Sequence, residues 1–331
     1  MTDPKLTVII PFRDTVKTLS RSVSSILNQT LSDIELILIN DGSTDGTREL
    51  VSEIKDNRIK IIDLPSSGSV AALNEGIYSS KANYIALLDP YDLARNDRLQ
   101  IQYNFLENNE SIEVVSSKVK YVQESPERNM KAYIEWSNSI ITNQDIYLKR
   151  FINSTILHST IMFRKKLINT YGDFRYGKFP EDYELFLRWM ANGVTFEKLS
   201  DELTEWHDDL QRLSSRHSKY TSNAAAKLKT KYFAIWFKGY FRNPPDILVW
   251  GIDTLNQKKI SLFEEEKMEI SGFIDDSHLQ AWFENKPVFK VEEIPKGVFI
   301  ICFVEQFKPS KMPHTLSLKG LEEGPNYLLI G

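Results

Sequence analysis

The stretch IELILINDGSTDGT, residues 34–47, decides the fold. Ile34–Ile39 is an apolar, β-branched run that breaks into the acidic, glycine-containing loop 40–46, and helix-forming residues follow from Thr47. Such a run reads as a buried strand of a parallel sheet. The loop then lies at the carboxyl end of the strand, where open α/β sheets bind ligands. N-terminal to it, Leu6–Ile10 reads as a strand closed by Pro11. Val16, Leu19, Val23, Ile26 and Leu27 recur at helical spacing, with Asp14 or Thr15 as cap. Arg58–Asp63 is a third strand, and Ser66–Ser69 opens a helix through Ala71, Ala72, Leu73 and Ile77. Tyr84–Leu88 is a fourth strand, ending in Asp89-Pro90-Tyr91-Asp92. Strands alternating with helices at this spacing imply a doubly wound, mostly parallel α/β sheet.

Beyond Ser111 the alternation loosens. Ile112–Ser117 and His158–Phe163 read as strands, Lys165–Tyr171 and Glu181–Asn192 as helices, and residues 119–149 show no clear period. Lys219–Phe241 is a lysine-rich helix with an apolar stripe at Ala224, Leu228, Tyr232, Ile235 and Trp236. Asn243-Pro244-Pro245 marks a boundary. After it the pattern restarts, with strands at 247–250, 270–274, 298–304 and 327–330 and a helix at 254–265. The expected organisation is a main domain over 1–218, a basic amphipathic helical linker over 219–243 and a smaller α/β domain over 244–331.

The chain of 331 residues has 45 acidic and 41 basic side chains, a net charge of −4, which disfavours bulk nucleic-acid binding. Its one cysteine, Cys302, sits in the apolar run VFIICFV, so no disulfide framework is expected and a reducing cytoplasm fits. The N-terminus lacks the basic region and long apolar core of a signal peptide. No apolar run approaches the roughly 20 residues of a membrane span. The basic helix reads first as a contact between domains; its second reading is a peripheral surface for the anionic inner face of a cell membrane.

Five segments carry a resemblance: LTVIIPFRD (6–14), the helix end LNQT (27–30), IELILINDGSTDGT, ALNEGIYSSKANYIALLD (72–89) and PEDYELFLRW (180–189). Their order and spacing resemble the family 2 glycosyltransferases over about the first two-thirds of the chain. RLSSRHSKY (212–220) with the lysine-rich helix resembles a subset carrying a C-terminal α/β domain. The resemblance implies a GT-A-type fold plus a smaller Rossmann-like domain. It implies an enzyme that inverts the anomeric centre while moving a sugar from a nucleotide diphosphate, in our reading a UDP-sugar, to a glycan or lipid-linked acceptor.

Such a transfer needs one base for the acceptor hydroxyl and positive charge for the leaving diphosphate. By resemblance, Asp41 contacts the nucleotide base, with the backbone of Pro11, Phe12 and Arg13 alongside, whereas Asp45 reads as a helix cap. Asp89 would face the ribose. The third position of its motif, which in the family ligates a divalent metal such as Mg²⁺ or Mn²⁺, is Tyr91, a poor ligand at neutral pH. Asp92 then reads equally as a substitute ligand or as a helix cap. Gly68 lies on the loop that approaches the donor, where backbone amides can face phosphate. Asp182 matches the catalytic base, with Glu181 as its support. Without the resemblance, these two acids would read as ordinary decoration of a helix N-terminus. His207 and Arg212 match a segment that folds over the donor and could partly replace a missing metal, and His158 is a candidate for the acceptor side.

In the C-terminal part, WGIDTLN (250–256) resembles a Rossmann strand–turn–helix. Asp253 and Asn256 stand where the second and third glycines belong, and Asp253 would repel a pyrophosphate. Asp275 lies about where a ribose-binding acid would. A structural or partner-binding role is the reading adopted there. Tyr91 also motivates a second class of function, a catalytically weakened nucleotide-sugar-binding or scaffold protein whose C-terminal domain engages a partner.

Overall fold

The computed structural model describes residues 3–124, 130–212, 222–252, 254–277, 281–308 and 310–331. Most of RLSSRHSKY lies outside them, as does Asp253. The chain divides into two compact units, one of residues 1–146 and 155–218, the other of 147–154 and 219–331.

The first unit runs β1 (Leu6–Phe12), α1 (Leu19–Leu27), β2 (Ile34–Asp41), α2 (Thr47–Ser52), β3 (Ile59–Leu64), α3 (Ser69–Ser79), β4 (Tyr84–Leu87), β5 (Leu93–Ala94) and α4 (Arg98–Asn108). It continues with β6 (Val114–Gln123), α5 (Lys131–Ser139), α6 (Asn143–Lys149), β7 (Met162–Arg164), α7 (Lys166–Tyr171), α8 (Glu181–Ala191) and β8 (Phe196–Asp208). The last residues of α6 already belong to the second unit. Among the described residues these strands form an eight-stranded sheet in the order β3-β2-β1-β4-β7-β6-β8-β5. β1 is central, pairing parallel with β2 (Ile9 opposite Ile37) and with β4 (Ile9 opposite Leu87). β7 runs antiparallel to β4 and β6, and β8 runs parallel to β6.

Both faces of the sheet are covered over β1, β2 and β4, which is why those strands read as continuous apolar runs rather than alternating ones. Ile9, Ile37 and Leu87 pack on one face with α3 and α8, while Val8, Ile10 and Leu36 pack on the other with α1 and α4. Gly76 on α3 lets that helix lie flush on β1, because a Cβ there would sit 2.5 Å from Ile9 Cγ2. Gly76→Ala should therefore destabilise the protein by about 1–3 kcal/mol through overpacking. A denaturation midpoint unchanged from wild type would contradict this.

Several elements differ from expectation. α1 begins at Leu19, because Asp14 and Thr15 are drawn into contacts with the β2–α2 loop. His158–Thr160 is a 3₁₀ turn, and the strand beside it is only Met162–Arg164. β8, thirteen residues long, had no counterpart in the sequence reading.

The second unit contains α9 (Ser222–Tyr240), β9 (Ile247–Trp250), α10 (Thr254–Glu265), β10 (Ile270–Ile274), β11 (Trp282–Phe283), β12 (Lys286–Phe289), β13 (Phe299–Phe303), α11 (Met312–Leu318) and β14 (Tyr327–Ile330). Its sheet order is β11-β12-β10-β9-β13-β14, parallel except for β11. Counted by the parallel strands alone this is 3-2-1-4-5, the order of Rossmann-like sheets.

The basic helix α9 is not a separate linker: it belongs to this unit, where Phe233, Trp236 and Phe237 pack against Phe299. Residues 147–154 join it too. Phe151 meets Phe233 edge-on at 5.6 Å, the Arg150 guanidinium lies 4.2 Å from the Phe151 ring centre, and Lys229 Nζ donates to Ile152 O at 3.2 Å. Among the described residues no helix is long and apolar enough to cross a membrane. Cys302 is buried on β13.

Candidate functional site

The loops that follow β1, β2, β3 and β4 lie at one edge of the first sheet, as parallel topology requires. Side chains of the DGSTDG loop stitch the first two together. Asp45 Oδ2 accepts from Val16 N at 3.0 Å, and its Oδ1 accepts from Thr47 N at the start of α2. Thr47 Oγ1 accepts from Thr15 N at 2.9 Å, and Asp14 Oδ1 accepts from Thr44 N at 2.8 Å. Asp45 thus supports a helix start, as expected, and also ties β2's loop to β1's. Burial pushes its carboxyl up, but the hydrogen bonds from Thr47 and Val16 leave it below the usual carboxylate range.

Asp41, at the end of β2, is buried, and its carboxylate accepts from Ser67 N at 2.5 Å and from Gly68 N at 3.0 Å. This joins two expected site residues in an unexpected way. The Gly68 amide points to Asp41, so it is not open to a phosphate. Asp41 holds the 66–68 loop in place, with Gly68 at φ 91° opening α3. Replacing Asp41 with Ala removes a carboxylate that holds two backbone amides, and hydrogen bonds to charged groups are worth about 1.5–3 kcal/mol each. Asp41→Ala should lower stability by about 3 kcal/mol, the low end for two such bonds because the loop is only part-buried, readable by thermal denaturation. Phe12 is buried in the core, so only its backbone can line a ligand. Arg13 is half exposed and donates to Ser66 Oγ at 2.5 Å.

The second acidic loop follows β4. Asp92 is fully buried and Asp89 partly exposed. Both accept from Arg212: Nη1 reaches Asp89 Oδ2 at 2.8 Å and Nη2 bonds Asp92 Oδ1. Arg212 Nε donates to His207 O at 2.7 Å, and His207 N donates to Asp92 Oδ1 at 3.0 Å. The guanidinium lies 4.3 Å from the Trp206 ring centre and 5.4 Å from that of Tyr91, whose hydroxyl donates to Gln211 O at 3.2 Å. The His207 ring is buried, with Nδ1 2.5 Å from Glu124 Oε1, so it sits among acids rather than facing a diphosphate. Burial pushes the Asp92 carboxyl up and the adjacent Arg212 opposes that shift.

These residues do not fit a divalent metal. Asp89 Oδ2 and Asp92 Oδ1 are taken by one guanidinium, and Tyr91 is turned toward Arg212 and Gln211. That leaves Asp92 Oδ2, which is buried, and Asp89 Oδ1, and a divalent ion held by these two would sit against the Arg212 guanidinium, whose like charge repels it. Among the described residues no group of three or more His, Cys, Asp or Glu side chains could hold a metal ion.

The third acidic pair begins α8. Ser69 Oγ donates to Glu181 Oε1 at 2.6 Å, and Asp182 Oδ1 accepts its neighbour's amide, Tyr183 N, at 2.8 Å. Burial raises the Asp182 carboxyl to about 6; the Glu181 and Asp89 charges push the same way, and His158 partly offsets them. Glu181, Asp89 and His158 are thus near enough to Asp182 to act on its carboxyl.

The position of this pair depends on residues the sequence reading missed. Glu184 and Arg188, one helical turn apart on α8, form a buried ion pair at 3.0 Å. Arg188 also donates to the carbonyls of Tyr171, Gly172 (3.1 Å) and Asp173 (2.6 Å). Asn74 on α3 brackets Phe174, donating to its carbonyl at 2.9 Å and accepting from its amide at 3.0 Å. Tyr78 donates to Asp173 Oδ2. The signal available was spacing: Glu184 and Arg188 stand at i and i+4 on a helix that is otherwise apolar beyond Asp182.

A groove of about 680 Å³ lies elsewhere, between α1 and the β5–β8 edge, lined by residues such as Arg21, Ser24, Ala94 and Thr204. None of the acids above lines it.

Comparison with known proteins agrees with this architecture. The family model described as glycosyl transferase family 2 matches residues 7–172. An uncharacterized glycosyltransferase of Rickettsia bellii is 33% identical over 181 residues, covering 54% of this chain and 24% of that protein. EpsE of Bacillus subtilis, a putative glycosyltransferase, is 29% identical over 229 residues, covering 67% and 80%. The chain spans between 21% and 45% of the length of the first four curated relatives it matches. Among solved structures, S. aureus TarS 1–349 in complex with UDP-GlcNAc superposes with a TM-score of 0.55 at 17% identity, covering 80% of this chain and 71% of that one. Mannosyltransferase PcManGT from Pyrobaculum calidifontis, solved with GDP-Man and Mn²⁺, gives 0.51 at 15% identity, covering 81% and 70%. At such identities the likeness shows the fold, a GT-A-type α/β architecture. The match to the family model covers half of the chain, and with it the four strands and loops of the sheet's ligand edge: the chain belongs to glycosyl transferase family 2.

Proposed function

We propose that this chain is an inverting glycosyltransferase that moves a sugar from a nucleotide diphosphate, in our reading a UDP-sugar, to a hydroxyl of a glycan or lipid-linked acceptor. The observation that carries the proposal is Asp182: a carboxyl raised to about 6, at the start of α8, within electrostatic reach of Asp89 on the donor edge. In a single displacement the acceptor O–H proton passes to an Asp182 carboxylate oxygen. The acceptor oxygen forms its bond to the anomeric carbon from the face opposite the leaving group. The bond from that carbon to the β-phosphate oxygen breaks, and the nucleoside diphosphate leaves with the electron pair. One carboxylate suffices, because no glycosyl-enzyme intermediate forms. A proton affinity near the working pH suits a general base.

Other residues take supporting roles in this reading. Glu181 keeps negative charge beside the base, and His158 lies on the acceptor side. Asp41 and the backbone of 11–13 line the nucleotide end, and Asp89 the ribose. A buried lone thiol at Cys302 accords with a reducing cytoplasm. The test is turnover of a panel of UDP- and GDP-sugars by wild type and Asp182→Asn. Equal rates would remove Asp182 from this role.

The Arg212 clamp favours a second reading, a nucleotide-sugar-binding protein with weakened catalysis. Tight UDP binding with no turnover of any donor in the panel would select it.

A further inference from the structure

Tyr91 and Arg212 lie far apart in the chain, yet they meet at one place in the fold. The third position of the acidic loop, where the family resemblance calls for a metal ligand, presents a phenol ring to a guanidinium. That guanidinium is one of the most enclosed charges of the site, with its side chain 5% exposed. It has an indole ring at 4.3 Å, a phenol ring at 5.4 Å, and two carboxylates and a carbonyl as acceptors.

We propose that Arg212, walled in by Tyr91, is a built-in cation that takes the place of the divalent metal, so that this chain binds its nucleotide diphosphate without one. The proposal rests on the nucleotide-sugar reading of the same site.

Three points carry it. A metal in this loop would compete with Arg212 for the same two carboxylates, and removing Arg212 from Asp92 would take the bonded counter-charge from a fully buried carboxylate. The residue at position 91 is chemically matched to the guanidinium: an aromatic face attracts a cation, and a carboxylate there would instead compete with Asp89 and Asp92 for it. Tyr91 also anchors the segment that delivers Arg212, through its bond to Gln211 O. Tyr91 is therefore a positioning residue for Arg212, not a lost ligand. A guanidinium has five N–H groups, of which three are used on protein oxygens, and the planar fork suits phosphate oxygens. Arg13, half exposed on the loop after β1, adds a second cation at the same sheet edge.

The experiment is titration of the full chain with UDP, and separately GDP, by calorimetry in EDTA and in about 1 mM Mn²⁺, enough to fill an ordinary carboxylate site. We expect a dissociation constant that changes less than about threefold between the two conditions, under about 0.7 kcal/mol. A tightening of about tenfold or more with Mn²⁺ overturns the proposal while leaving the nucleotide reading intact. Binding of neither nucleotide in either condition overturns the nucleotide reading and this proposal together.

Variants separate the roles. Arg212→Ala should weaken metal-free binding about tenfold or more, and Arg212→Lys should recover part of the loss. Tyr91→Asp should make binding metal-dependent, with Mn²⁺ tightening it about tenfold. Tyr91→Phe, which keeps the ring, should remain metal-independent. A merely structural Tyr91 would lower stability without changing the response to Mn²⁺, and that result would contradict its assigned role.

Discussion

Asp182→Asn should reduce sugar transfer by about 10²–10⁴-fold, the usual contribution of a positioned general base. The same substitution should make the protein more stable at neutral pH. In the folded chain the Asp182 carboxyl is raised to about 6, above its ordinary 3.8. The folded state therefore holds this proton more tightly than the unfolded state does. The stability linked to that proton is fully present below about pH 4 and is lost as pH rises through about 6. At pH 7 the ionised side chain is a net cost of folding, which asparagine removes. That difference in proton affinity amounts to about 3 kcal/mol at most. The side chain keeps some access to solvent, which screens the charge and reduces the expected gain to about 1 kcal/mol. At about pH 4 the gain should vanish. Loss of turnover with higher thermal stability at pH 7 is the signature of a group held for chemistry at a cost to the fold. Loss of both would indicate a structural acid.

Arg188→Ala should have the largest effect on stability, about 3–5 kcal/mol, because it leaves a buried charge without its partner. Glu184 would remain buried, with the more exposed Arg175 3.5 Å away a weaker counter-charge. Three backbone carbonyls, of Tyr171, Gly172 and Asp173, would lose their donor as well. The loop they belong to leads to Glu181 and Asp182, so activity should fall together with stability. Glu184→Gln with Arg188→Met should recover much of the stability, since it removes both charges at once. Urea unfolding of the three proteins checks this. A single variant within about 1 kcal/mol of wild type would show that the pair does not organise the loop.

The first half of the fold was legible because its physics is local. β1, β2 and β4 are buried on both faces, so their sequences are apolar runs, and each ends in a polar loop whose residues mark the sheet's ligand edge. β8 was not legible. Its sequence, FEKLSDELTEWHD, mixes charges into the strand because several positions face solvent. Pairing with β6 and β5, both far earlier in the chain, makes it a strand. Residues 147–154 were missed for a similar reason, since nothing local says that Phe151 packs on Phe233.

At the site, the sequence pointed to the acids but not to their partners. Asp41, read as a nucleotide contact, also holds the amides of Ser67 and Gly68, a role its sequence position does not show. His207 was expected at the diphosphate and is packed between Glu124 and Glu205. Asp92, weighed as a metal ligand or a cap, instead accepts from Arg212 and from the amide of His207. Those pairings span 115 and 120 residues of chain for Asp92 alone, beyond the reach of any periodicity.

The pH dependence of kcat/KM for donor turnover between about pH 4.5 and 8 decides whether Asp182 is the base. With Asp182 as base, the rate should rise about tenfold per pH unit at low pH and level off with an apparent pKa near 6. A profile with no such limb, or the same limb in Asp182→Asn at wild-type rate, would contradict the account.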